Sequence, residues 1–500
     1  MELLGWLCIV GYMLLMAYFA IRGAKGTKTS KDFALGSIHF SPVVLGLSLA
    51  ASITSAATFI INPGFVAYYG LSAFLALGVF LPAGTLVSLY FFTKKFRKEG
   101  KEIKALTMAQ WIGKKYNSKN FTTLFAVLSL LLITFVVLIC VGISKVIAAI
   151  LGVNELPVLI AFILFVFTYV GFGGANSMVY TNLVQASLMI VISIVLFASG
   201  YRYFIQEVSF FDQLGQIDQN LVSLTNVESP LFRDIFEVII CQVIVGVAVV
   251  CQPHIITKSL LIKKESEVKK YLWVAIFTEI LFFSVIFIGF YARLSFPSLT
   301  FNDQGIALDN VLTTYVNQTL PYGLGLFITI GLISAGLSTL EGLIQSLTAT
   351  ISFDLLPRFN RSKNENSTGH LASRKWVVIF LMITSFGFSY QQLIAPDLSV
   401  GIFAQNGVYA YFSAAFIPVL CGLFFPRVKA KVAMSSAVIA VVVHFGLYYG
   451  RITPYMQEEV RNPGVAAAIA IITAICSAVV LHLITGLSKS SEQIKEVETS

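Results

Sequence analysis

GLISAGLSTLEGLIQSLTATISFDLL, residues 331–356, places hydroxyls and a carboxylate inside a long apolar run. Ser338 and Thr339 are adjacent, and Glu341 follows closely. Within hydrocarbon, an ionisable side chain is costly unless it faces a cavity, a partner or an ion. Hydroxyl oxygens with a carboxylate are hard ligands, suited to a small cation such as sodium. The segment therefore reads as an ion site on a membrane-embedded helix, in a chain that moves solutes.

The rest of the chain fits that reading. Hydrophobic residues make up 57% and charged residues 12% of 500 positions, and mean hydropathy is +0.83. Soluble domains carry charges at about a quarter of positions, so the soluble class is excluded. About thirteen apolar runs approach the ~20 residues needed to cross a bilayer, from 2–21 to 464–487. The first lacks a basic n-region and runs into a basic loop, so it is expected to be a retained helix rather than a cleaved signal.

The net charge of +9 does not point to nucleic acid. Lys and Arg crowd into alternate loops: Arg22–Lys31, Lys94–Lys119, Lys258–Lys270, Arg358–Lys375, Arg427–Lys431 and the tail. The stretch 205–230 is acidic, with Glu207, Asp212, Asp218 and Glu228. By the positive-inside rule, the N-terminus lies outside the cell membrane and the C-terminus in the cytoplasm. The six cysteines sit in apolar runs without CxxC spacing, as small packing residues do. No HExxH, P-loop or GxSxG signature occurs, so no enzyme is expected.

Two apolar runs look interrupted. One contains SLAASITSAATF followed by Asn62-Pro63-Gly64, and the other contains Gly246 and ends CQPHIITK at 251–258. Pro and Gly free backbone carbonyls, which is tolerated at membrane depth only beside protein or a water-filled cavity. Broken helices at matching places in two halves point to an inverted-repeat transporter with its site at the midplane.

Five segments, in order, resemble the sodium/solute symporter family, including its proline, pantothenate and monocarboxylate carriers. They are DFALGSIHFSPVVLGLSLAASITSAATFIINPGFVAYYG at 32–70, GGANSMVYTNLVQASLMIV at 173–191, CQPHIITK, SAGLSTLEGLIQSLTATISFDL at 334–355 and AAFIPVLCGLFFPR at 414–427. The resemblance implies an all-α membrane protein with a leucine-transporter-like core of two inverted five-helix repeats. One transmembrane transporter domain would then span 1–500: a leading helix and basic loop at 1–40, repeats at 41–204 and 232–425, two more helices at 426–488, and a cytoplasmic tail at 489–500.

The resemblance also implies a sodium site. Its ligands would be the carbonyls of Ala51, Thr54 and Ala335 and the hydroxyls of Ser338 and Thr339. Positions 335, 338 and 339 follow i, i+3, i+4 spacing and share a helix face. Close helix packing is the competing reading of Ser338 and Thr339. Two departures stand out. The family's Thr-Asp is Thr181-Asn182 here, and Glu341 replaces a small polar residue. Asn182 and Glu341 thus form a candidate second cation or proton site, or Glu341 is a structural group.

Substrate candidates carried over from the family are Ser55 and Thr58, Gln242 and Gly246, and Gln405 and Asn406. Lys145, about 10 Å inside the outer end of its helix at 1.5 Å per residue, would neutralise a carboxylate solute or snorkel. Glu279 is expected to pair with a neighbour and His254 to be hydrogen-bonded. The resulting expectation is a symporter of a small organic solute or anion, with sodium as coupling ion, no organic cofactor and a monomer sufficient for transport. It works by alternating access in the lipid bilayer. The rivals are a proton-coupled carrier of the same fold and a transporter-like solute sensor. The short polar stretch after Ser488 argues against a signalling domain.

Overall fold

In hydrocarbon, a backbone must satisfy its own hydrogen bonds, so apolar runs fold as helices. The computed structural model describes residues 2–359, 367–395 and 399–498, and they are almost wholly helical. Among them, ten helices are long and apolar enough to cross a membrane, or up to twelve if each of two bent pairs is one span. Labelling the membrane segments in chain order gives α1 (Leu3–Ala24), the bent pair α2 (Pro42–Ile53) and α3 (Ala57–Tyr69), α4 (Leu71–Ile103), α5 (Lys119–Leu151) and α6 (Glu155–Tyr203). The second bent pair is α7 (Phe236–Val249) and α8 (Pro253–Leu261). Then come α9 (Glu265–Ser295), α10 (Tyr322–Arg358), α11 (Arg374–Ile394), α12 (Val400–Phe424), α13 (Ala430–Gly450) and α14 (Pro463–Thr485).

At 49 residues, α6 would be roughly 70 Å long, twice the ~30 Å hydrocarbon core. It is broken within by Gly174, at φ 72° and ψ −170°. A side chain there would meet Phe33 as well as the left-handed strain. The expected thirteen runs are reached only if α6 is counted as two. The basic stretch Arg358–Lys375 and the end of the tail lie partly outside the described residues.

Both helix breaks are present, the second at the CQP of residues 251–253 and the first upstream of its Pro and Gly. The first separates α2 from α3 by a 59° bend at Thr54–Ser55. Asn62-Pro63-Gly64 lies within α3, just after the π-helical turn Ala57–Ile61, and the helix continues through it. Gly64 serves close packing, since a Cβ would sit 2.1 Å from the Leu308 carbonyl oxygen. The second break, a 56° bend, falls at Val250–Gln252, just before Pro253. Ser41 caps the start of α2 by accepting from Val44 N, ahead of Pro42. Leu3, Leu7 and Leu14 of α1 are exposed, as on a lipid-facing helix, whereas α10 and α12 are largely buried.

Candidate ion and solute sites

The end of α2 at Ile53 leaves carbonyls without helical partners. Across from them lies α10. Ser338 donates to the Ala51 carbonyl and, at 2.9 Å, to the Ala335 carbonyl. Thr339 donates to the Thr54 carbonyl at 2.8 Å and the Ser52 carbonyl at 3.2 Å. The five oxygens named from the sequence are thus drawn together between a broken helix and an intact one. All five residues are buried, Ser338 and Thr339 at 0% exposure. Three carbonyls and two hydroxyls are neutral hard donors, a set suited to a monovalent cation. Among the described residues, no group of three His, Cys, Asp or Glu side chains gathers to hold another metal.

Glu279 of α9 adjoins this cluster. Its carboxylate accepts from the Thr54 hydroxyl at 2.7 Å. Its other oxygen has no hydrogen-bond partner among the described residues.

Asn182 and Glu341 sit one helical step away. Glu341 accepts from Tyr169, from Thr181 and, at 2.8 Å, from Gln185, all on α6. Asn182 donates to the Ser48 carbonyl, the Ser48 hydroxyl and the Ser52 hydroxyl at 3.3, 3.1 and 3.0 Å. Lys258 reaches the same oxygens. Reading the sequence placed Lys258 at the head of a cytoplasmic basic loop, yet it is 3% exposed and its ammonium points into α2. The 3-10 turn Thr257–Leu261 keeps the chain inside the bundle for one more turn. The signal available was the helix-forming motif itself: Lys258 closes CQPHIITK.

A cavity of about 100 Å³ lies between the two broken helices. Thr58, Asn62, Thr85, Gln252 and Gln405 supply its polar wall, and Phe135, Phe283 and Tyr409 part of its apolar wall. Of the substrate candidates, Thr58 and Gln405 line it. Asn62, Thr85 and Gln252 were missed. Gln252 stands inside the CQPHI motif, and its side-chain oxygen is buried without a partner among the described residues.

The other candidates are engaged elsewhere. Ser55 accepts from Ala57 N at 3.1 Å and so starts α3. Gln242 donates to the Glu237 carbonyl at 3.3 Å and lines a smaller hollow with Gln405. Gly246 is a packing point: a Cβ would sit 2.2 Å from the Leu81 carbonyl oxygen of α4. Asn406 turns toward α13, donating to Tyr449 OH, with His444 Nε2 3.0 Å from its side-chain oxygen. Lys145 pairs with Asp309 at 3.6 Å rather than facing the cavity. Asp309 in turn accepts from the Ser399 hydroxyl at 2.6 Å and from Val400 N. Contrary to expectation, neither ring nitrogen of His254 has a hydrogen-bond partner among the described residues. Its side chain packs against Gly342.

The profile of the sodium:solute symporter family matches residues 33–440. A sodium/pantothenate symporter of Haemophilus influenzae is 26% identical over 422 residues, 82% of this chain and 82% of that protein. A sodium/pantothenate symporter of Escherichia coli K12 is 26% identical over 454 residues, 87% of this chain and 89% of that protein. The solved structure of a Na+-coupled sialic acid symporter, substrate-bound and outward-open, superposes with a TM-score of 0.78 at 16% identity. The match covers 96% of this chain and 97% of that one. The two share a fold.

Proposed function

The chain belongs to the sodium:solute symporter family, and from that membership we propose that it carries a small organic solute across the cell membrane by alternating access. It is a sodium-coupled carrier rather than an enzyme. One observation supports the ion assignment above the others: Ser338 and Thr339 of α10 meet the carbonyls of Ala51 and Thr54 where α2 breaks. A cation held there binds α2 to α10 and shapes the cavity that opens on Ile53 and Ala57 beside the break. Ion and solute then couple through one shared helix. Hydroxyls and carbonyls do not titrate near neutrality, so this cluster favours sodium over a proton. Glu279 supplies the negative charge that offsets the ion. Asn182 and Glu341 belong to a second ion-handling place beside it.

The solute sits among Thr58, Asn62, Thr85, Gln252 and Gln405. These are hydrogen-bonding groups without charge, suited to hydroxyls and amides. Pantothenate and sialic acid, named for the relatives, are the first probes. The repeats run 41–204 and 232–425, and the basic loops face the cytoplasm. The N-terminus therefore lies outside and the C-terminus inside. The test needs no knowledge of the solute. Purified protein is melted in sodium and in potassium at equal ionic strength. Binding at a hundred times Kd stabilises by about 2.7 kcal/mol, so sodium should raise Tm. Equal melting in the two cations would contradict the assignment.

A further inference from the structure

A lysine ammonium has three N–H donors and no acceptor. Lys258 uses them on three oxygens of α2: the Ser48 carbonyl at 2.7 Å, the Ser48 hydroxyl at 3.2 Å and the Ser52 hydroxyl. A carbonyl and two hydroxyls converging on one positive centre repeat the chemistry of the neighbouring sodium cluster. The two places are also joined. Ser52 gives its hydroxyl to the Lys258 side and its carbonyl to Thr339 on the sodium side. Asn182 binds the same three oxygens with its amide and adds no charge.

The negative charge is close by. Glu341 lies one turn along α10 from Ser338, on the same face. It is buried, and among the described residues no Lys or Arg stands within ion-pairing distance of it. Three neutral donors, Tyr169, Thr181 and Gln185, hold the carboxylate in place. They satisfy its hydrogen bonds and leave its charge to be balanced. Burying two charges is costly, and an opposite charge in the same low-dielectric interior offsets part of that cost.

We propose that the ammonium of Lys258 is a built-in cation, filling a second cation site made by the oxygens of Ser48 and Ser52, with Glu341 as counter-charge. The chain then carries a single mobile sodium, because the second positive charge is tethered to α8. The ammonium also ties α8 to α2, one half of each broken helix. This rests on the sodium reading of the first cluster.

The probe is radiolabelled sodium alone, bound to the purified full-length protein without solute. Wild type should saturate at about one sodium per chain. Lys258→Gln opens the oxygen set while keeping Glu341, so saturation should rise about twofold. Lys258→Gln with Glu341→Gln removes both charges and should return it to about one. If Lys258→Gln is too unstable to purify, the double variant should recover folded, one-sodium protein. A double variant no more stable than the single would overturn the proposal. So would a Lys258→Gln protein that still binds one sodium, or a double variant that binds two. Two sodium ions on wild type would overturn it too, leaving the sodium reading intact. No sodium on wild type would overturn that reading itself.

Discussion

Two glutamates are buried beside the first broken helix, and they are balanced differently. Glu341 has three neutral hydrogen-bond donors, Tyr169, Thr181 and Gln185. Glu279 has one hydroxyl, that of Thr54, and one oxygen without a hydrogen-bond partner among the described residues; neither glutamate has a Lys or Arg within ion-pairing distance among them. Both are fully desolvated, so both need a positive partner while ionised. The difference is in hydrogen bonding: one carboxylate is tied down by neutral donors on both oxygens, and the other keeps an oxygen available to a visiting ion. The visiting ion is expected where the protein supplies oxygens and a carboxylate but no cation, which is the Ala51, Thr54, Ala335, Ser338 and Thr339 cluster.

The most severe way to break this contrast is Ser338→Ala with Thr339→Ala. It removes two of five ligand oxygens. At ~1.5–3 kcal/mol per bond to a charged group, sodium affinity should fall at least a hundredfold in an equilibrium binding assay. Folding should survive, because Ala is the better helix former at both positions. Next comes Glu341→Gln. It replaces the charged acceptor of three hydrogen bonds, each worth ~1.5–3 kcal/mol, and removes the counter-charge proposed for Lys258. Tm should drop by several degrees while sodium affinity changes little. A wild-type Tm would make Glu341 an ordinary polar residue, and an altered ion stoichiometry would make it a coupling group.

A smaller effect is expected from Glu279→Gln. The side chain keeps its shape and its contact with Thr54, but the offsetting charge goes. Sodium affinity should weaken about tenfold, or ~1.4 kcal/mol, with little change of Tm in sodium-free buffer. Unchanged affinity would deny Glu279 its role. The smallest effect on sodium affinity is that of Lys145→Gln, far from both places. It cuts the Lys145–Asp309 pair, whose side chains are 13% and 5% exposed. Removing one partner of a buried pair costs up to about 3–5 kcal/mol of stability, so Tm should fall while sodium affinity should not move.

Much of the fold was legible because hydrocarbon leaves the backbone few choices. The candidate ion cluster came from the family resemblance, which named the carbonyls of Ala51, Thr54 and Ala335 and the hydroxyls of Ser338 and Thr339. Helical geometry adds only that residues 335, 338 and 339 share one face. What was not legible depended on partners distant in sequence. Nothing near Lys145 announces Asp309, and nothing near Asn406 announces His444 and Tyr449. The first helix break was looked for at Asn62-Pro63-Gly64 because Pro and Gly are the usual breakers. Pro63 instead lies inside α3, just after the π-helical turn Ala57–Ile61, and the helix continues through it. Lys258 was lost to charge counting, which assigns a lysine at the end of an apolar run to the adjoining loop. Only the extra turn after Pro253 carries it into the bundle.

Charge displacement driven by sodium alone tests the central claim most directly. Proteoliposomes holding the wild-type protein are given a sodium concentration jump without any solute, and the transient current is recorded. The account predicts a saturable transient with sodium, none with potassium, and none in the Ser338→Ala, Thr339→Ala protein at the same concentrations. A transient that persists in that variant, or that is the same with potassium, would contradict it.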